Sequence, residues 1–110
     1  MKAIAFNGSP RKEGNTSTLL DKVLAELENE GIETEKYQLG GERVSGCTAC
    51  MQCHKNKDKA CVIKDDVINE CIGKMLGADA VILGSPTYFA NVSTEIKALI
   101  DRAGFVSKGN

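Results

Sequence analysis

A short apolar run, Lys2-Ala3-Ile4-Ala5-Phe6, passes directly into the polar stretch Asn7–Thr18, NGSPRKEGNTST. Leu19, Leu20, Val23, Leu24 and Leu27 then follow at helical spacing. A strand, a turn and a helix in this order form the opening unit of a parallel sheet with crossover helices. The turn holds Gly8, Ser9, Gly14, Asn15, Thr16, Ser17 and Thr18, with cations at Arg11 and Lys12. At a helix start, unpaired backbone amides and the positive end of the helix dipole favour an anion. Hydroxyls add donors, and glycine lets the backbone come close. The expectation is a phosphate cradle. A plain polar turn is the alternative, because Asn, Thr and Ser cap helices in any case.

The spacing narrows the kind of phosphate. A nucleotide-triphosphate loop needs G-x-x-x-x-G-K-[ST]. Here Gly8 and Gly14 are one residue too far apart, and Asn15 stands where the lysine belongs. The dinucleotide pattern G-x-G-x-x-G is also missing. A hydroxyl-rich loop with little cation suits one terminal phosphate monoester.

At 110 residues the chain has room for one small domain. Its 42% hydrophobic and 26% charged content is that of an ordinary globule. A net charge of −1 gives no argument for nucleic acid or for an anionic membrane surface. No apolar run approaches a membrane span, and no secretory leader pattern precedes the first strand, so the expected location is the cytoplasm. In that compartment five cysteines point to metal or redox chemistry rather than structural disulfides.

Along the chain, the first helix is expected from about Asn15 to Glu30, stopped by Gly31. Ile32–Leu39 alternates apolar and charged residues, as an exposed or edge strand does. Ser45–Cys61 has no period and reads as a loop or short helix. Asp65-Asp66 opens a second helix with Val67, Ile68, Cys71, Ile72, Met75 and Leu76 inward, ended by Gly77. Cys71 there is most simply a small core residue. Asp79–Gly84 is a continuous apolar run, as in a parallel strand covered on both sides. A loop, Ser85–Asn91, leads to a third helix over Ser93–Arg102, and the tail Ala103–Asn110 shows no pattern. His54 reads as an exposed loop residue, and Asp101 and Arg102 as a helix-end surface or subunit contact.

Three blocks carry a family resemblance across nearly the whole chain: Gly8-Ser9-Pro10-Arg11-Lys12 with Gly14-Asn15-Thr16; Gly46-Cys47-x-x-Cys50-x-x-Cys53 with Cys61-Val62-Ile63-Lys64-Asp65-Asp66; and Gly84-Ser85-Pro86-Thr87-Tyr88-Phe89 with Lys97 and Asp101-Arg102. In these the sequence resembles the flavodoxin-like NAD(P)H-dependent FMN reductases, above all their iron–sulfur flavoprotein branch. The resemblance implies an α/β, doubly wound parallel sheet. Residues 1–110 would supply its first three strands in the order 2-1-3, with an open edge and a Cys-rich loop at 45–63. Ligands in such sheets bind outside the strand ends where the order reverses. The resemblance implies FMN, its phosphate held by Ser9, Pro10, Arg11, Asn15, Thr16 and Ser17, and its ring by Pro86, Thr87, Tyr88, Phe89 and Asn91. Two aromatics beside a phosphate loop fit a flat ring, although Tyr88 and Phe89 can also simply cap a core. It further implies an FMN-dependent oxidoreductase or electron carrier taking electrons from NAD(P)H or a ferredoxin-like donor. The flavin would do the redox chemistry, and no side chain is assigned as catalytic. The relatives are longer and have five strands, so the open edge predicts a homo-oligomer or larger assembly.

The cysteines Cys47, Cys50, Cys53 and Cys61 follow C-x2-C-x2-C-x7-C. Three thiols at steps of three can converge on one centre, with a fourth returning after a loop, which resembles ligation of a [4Fe–4S] cluster. Tetrahedral zinc and a set of free thiols are the other readings. A non-catalytic metal- or phosphate-binding assembly module and a thiol redox sensor remain the rival functions.

Overall fold

The computed structural model describes all of residues 1–110. Strand β1 (Lys2–Asn7) leads to helix α1 (Asn15–Asn29), strand β2 (Glu33–Gln38) and a short helix α2 (Gln52–Asn56). Helix α3 (Ile68–Leu76), strand β3 (Ala80–Gly84) and helix α4 (Thr94–Gly109) complete the chain. The three strands are all parallel, as the alternation of strands and helices predicts, and stand in the order β2-β1-β3 that the family resemblance implies.

Central position makes β1 the spine. Ala3, Ile4, Ala5, Phe6 and Asn7 are each 1% exposed or less. One face of the sheet packs Ala5 against Leu20 and Leu24 of α1. On the other, Ile4, Phe6 and Leu39 pack with Ile68, Cys71 and Ile72 of α3 and with Ile96, Leu99, Ala103 and Val106 of α4. Each leucine or isoleucine buried there contributes about 1.5–3 kcal/mol relative to exposure. Burial also pushes the Cys71 thiol up to about 12, so it stays a neutral core group. Ser93 caps α4 by accepting from the Ile96 amide at 3.4 Å, and Asp66 Oδ1 accepts from the Ile68 amide at 3.1 Å at the start of α3.

Four expectations change. The tail is helical: α4 runs on to Gly109, because Ala103 and Val106 extend its buried face beneath α2 and α3. The apolar run of β3 is covered on one edge only, which leaves Val81 and Leu83 about 40% exposed. His54 is not a free loop residue, since its Nε2 lies 3.1 Å from the Phe105 carbonyl oxygen on α4. Arg102 is not at the surface but is 1% exposed. No helix is long and apolar enough to cross a membrane.

Candidate functional site

The carboxyl ends of β1 and β3 are tied together by the Gly8 amide, which donates to the Gly84 carbonyl at 2.7 Å. The two loops that follow these strands therefore start side by side. Asn7, fully buried, shapes the first. Its Oδ1 accepts from the Ser9 amide at 3.0 Å, and its Nδ2 donates to Gln38 Oε1 at 2.9 Å and to the Arg11 carbonyl at 3.3 Å. Gln38 answers from β2, donating to the Ser9 carbonyl at 2.8 Å and the Gly40 carbonyl at 2.9 Å. Gly40 lies so close to this loop that a Cβ there would stand 2.1 Å from the Ser9 carbonyl oxygen. Neither Asn7 nor Gln38 was singled out by sequence. For Asn7 the available signal was a polar residue closing an otherwise apolar strand; Gln38, in a mostly polar strand, offered none.

At the start of α1 no side chain caps the helix, and its first turn holds no acid. The first amide to find an intrahelical acceptor is that of Thr18, bonded to the Gly14 carbonyl at 3.0 Å. The amides of Asn15, Thr16 and Ser17 precede it and have no acceptor in the chain, which is the arrangement an anion completes. Ser9 is buried, with its Oγ accepting from the Arg11 amide at 3.2 Å, while Pro10, Arg11 and Asn15 are exposed and Thr16 half-buried. The Ser17 hydroxyl turns away and accepts from Lys36 Nζ at 2.7 Å, so Ser17 offers the cradle its amide only.

The second loop is anchored by Ser85, whose Oγ accepts from the Ser93 amide at 2.8 Å and donates to the Pro86 carbonyl at 2.8 Å. Beyond it Tyr88 and Asn91 exchange backbone hydrogen bonds of 2.7 and 3.0 Å around Phe89 and Ala90. Both central residues have positive φ, 40° and 68°. That is the sign combination of a type I′ turn, which favours Asn and Gly and strains other residues. The turn holds Phe89 wholly in solvent and Tyr88 about half exposed. Neither caps the core. Replacing Ala90 by Gly removes about 1–2 kcal/mol of left-handed strain, less the entropy glycine adds to the unfolded chain. The expected net result in thermal unfolding is a Tm about 2–6 °C higher.

All four cysteines of the C-x2-C-x2-C-x7-C set, Cys47, Cys50, Cys53 and Cys61, line one apolar pocket floored by Val62, Ile63, Phe105 and Val106, with Arg102 among its walls. The pocket is nearly filled by its own side chains, with a cavity volume of about 20 Å³. The thiols share this pocket without converging: no three Cys, His, Asp or Glu side chains stand close enough to bind one metal ion. The donor set itself, four thiols in apolar surroundings beside one fixed cation, fits a thiolate-bound metal centre. The segment is held from below. Asn69 Nδ2 donates to the carbonyls of Cys61 at 2.9 Å and Ile63 at 3.1 Å, and Asn69 Oδ1 accepts from the Cys61 amide at 2.8 Å. Arg102 donates to the carbonyls of Ser45 and Ile63 at 3.0 and 2.9 Å and pairs with Asp66 at 2.6 Å. Its sequence signal was its place on the buried face of α4, three residues after Leu99 and four before Val106.

The six non-glycine residues with positive φ are Ala49, Met51, Lys57, Lys59, Phe89 and Ala90. All lie in the cysteine segment or in the loop after β3, and strain of this kind collects at ligand-binding segments. A depression lined by Gly46, Asn91, Thr94, Lys97 and Asp101 joins the two.

The sequence is 45% identical to an iron–sulfur flavoprotein of Methanocaldococcus jannaschii over 94% of this chain and 52% of that protein. It is 44% identical to one of Archaeoglobus fulgidus over 93% of this chain and 45% of the relative. With an iron–sulfur flavoprotein of Methanosarcina thermophila the identity is 36%, over the whole of this chain and 56% of the relative. The chain thus spans about half the length of the curated relatives it matches. Among solved structures, RosB with bound 8-demethyl-8-formylriboflavin-5′-phosphate superposes with a TM-score of 0.68 at 20% identity, over 91% of this chain and 40% of that one. This likeness concerns the fold, a flavodoxin-like sheet. Residues 1–110 match the profile of the NADPH-dependent FMN reductases from end to end, and the chain belongs to that family.

Proposed function

We propose that residues 1–110 form the FMN-binding part of an oxidoreductase that passes electrons between a reduced donor, NAD(P)H or a ferredoxin-like protein, and an acceptor. The observation that carries this reading is the pairing of two loops at the joined ends of β1 and β3. One offers the unpaired amides of Asn15, Thr16 and Ser17, and the other a strained turn bearing Tyr88 and Phe89. The first accommodates a phosphate monoester, with Ser9, Pro10 and Arg11 closing the loop around it. The second presents two aromatic faces and the polar groups of Thr87 and Asn91 to a flat heterocycle, with Pro86 stiffening the approach. When bound, FMN supplies hydride and single-electron chemistry. The chain contributes binding, orientation and exclusion of water, and no side chain serves as nucleophile or general base.

Cys47, Cys50, Cys53 and Cys61 are assigned to a [4Fe–4S] cluster on the strength of their shared pocket and of the names of the relatives. The unpaired edge of β3 and the bare Phe89 ring fit an assembly in which further chain or a second copy covers them. Titration of the folded protein with FMN tests the central reading. Binding is expected to quench flavin fluorescence with one equivalent per chain, and riboflavin, which lacks the phosphate, is expected to bind at least tenfold more weakly. Unchanged fluorescence across the titration would falsify the assignment.

A further inference from the structure

Arg102 has a donor that its role in holding the cysteine segment leaves unused. Its Nη1 serves Asp66 and the Ser45 carbonyl, and its Nη2 the Ile63 carbonyl. Its Nε–H is buried with no acceptor. An orphaned buried donor is costly, and such groups are rare. The same side chain lines the pocket of Cys47, Cys50, Cys53 and Cys61.

We propose that Arg102 is a positioning residue for a metal–thiolate centre: once the centre is loaded, its spare Nε–H donates to the Cys61 sulfur, and its fixed charge sets how readily the centre takes up an electron. This rests on the reading that the four cysteines hold such a centre. One-electron reduction adds one negative charge and moves no atom. A cation beside the sulfur stabilises the more negative form, and an N–H···S bond does the same by drawing density from the thiolate. Asp66 offsets part of the cation's charge, so charge and donor have to be tested separately.

Arg102→Lys keeps a charge beside Asp66 and removes the Nε donor. The double variant D66N/R102Q removes both members of the pair and leaves no unpaired buried ion. Wild type and variants are reconstituted anaerobically with iron and sulfide, iron per chain is measured, and the centre is titrated optically against redox mediators. All three are expected to carry the same iron. At a fixed potential the ratio of reduced to oxidised centre is expected to fall at least threefold in Arg102→Lys. In the double variant it is expected to fall at least tenfold, which is about 59 mV for a one-electron couple. Iron-loaded variants that keep the wild-type ratio overturn the role of Arg102 and leave the cysteine centre standing. A wild-type protein that takes up no iron overturns both. Should the variants fail to fold, the wild type decides the matter with cadmium-113 in place of iron. Scalar coupling between the Arg102 Nε–H proton and cadmium through the Cys61 sulfur is expected, and its absence in the loaded protein overturns the proposal.

Discussion

Gly40→Ala is expected to destabilise the protein by about 3–5 kcal/mol and to weaken FMN binding by two orders of magnitude or more. The added methyl would stand 2.1 Å from the Ser9 carbonyl oxygen, 2.2 Å from the Ser9 carbonyl carbon and 2.7 Å from the Pro10 nitrogen. These are backbone atoms, so no rotamer change relieves the clash. Either the loop after β1 or the end of β2 has to move. Movement of the loop breaks the Asn7 Oδ1 bond to the Ser9 amide and the Gln38 bond to the Ser9 carbonyl. Movement of the β2 end breaks the bonds from the Leu39 and Gly40 amides to the Asn7 carbonyl, at 3.0 and 2.8 Å. Overpacking alone costs about 1–3 kcal/mol, and each buried polar group left unpaired adds about 1–3 kcal/mol. Loss of a hundredfold in affinity equals about 2.8 kcal/mol, the size of effect expected when a preformed anion loop is displaced. The control is Gly73→Ala in α3, where an added methyl meets nothing within 4 Å. There alanine's helix propensity should raise stability by about 0.5–1 kcal/mol. Urea unfolding of the two variants, with flavin fluorescence titration of Gly40→Ala, checks both signs. A Gly40→Ala protein of wild-type stability would mean that the loop after β1 is not braced against β2.

The brace itself was beyond the reach of sequence. Strand, turn and first helix were legible because Ile4 and Phe6 on one side, and Leu20 and Leu24 on the other, obey simple periods. Parallel pairing followed from the alternation of elements, and the strand order from the family resemblance. Asn7 and Gln38 escaped notice because a polar residue at a strand end has many ordinary uses, and only the meeting of β1 with β2 shows that these two hold one loop. The eight residues after Arg102 offered no period, since Gly104, Ser107 and Gly109 dilute the apolar positions Ala103 and Val106. Packing against α2 and α3 keeps that stretch helical. The cysteine spacing predicts three thiols converging on one centre with a fourth returning; the four line one pocket but do not converge. What the spacing could not convey is the support beneath them, where Asp66 and Asn69, just past Cys61 in the chain, meet Arg102 arriving from α4. Arg102 was misplaced for a physical reason: an arginine reads as surface unless its counter-ion is known, and Asp66 is thirty-six residues away.

That counter-ion is the second place where a single change has a large effect. The side chains of Arg102 and Asp66 are 0% and 3% exposed, and their atoms approach to 2.6 Å. Asp66→Ala leaves the guanidinium buried without its partner, which costs about 3–5 kcal/mol. It also removes the acceptor of the Ser45 and Ile68 amides, at 2.9 and 3.1 Å. For a domain whose whole stability is about 5–15 kcal/mol, this is enough to bring unfolding near ambient temperature. The pair also fixes an acid dependence. Burial works to raise the Asp66 pKa, but the hydrogen bond from Arg102 and those from the Ser45 and Ile68 amides prevail and hold it below 3.8. A carboxylate with a depressed folded pKa contributes stability in full above its unfolded value. That contribution fades as the pH falls through the folded one. The wild type is therefore expected to lose the contribution of Asp66 below about pH 4. Asp66→Asn is expected to start lower and to lack this component. Glu35 titrates in the same direction beside Lys74, so the difference between the two proteins is the quantity to follow. Urea unfolding from pH 7 to pH 3 should show the gap between wild type and Asp66→Asn constant above pH 5 and closing below pH 4. A gap independent of pH would show that the Asp66 carboxylate is not what balances Arg102.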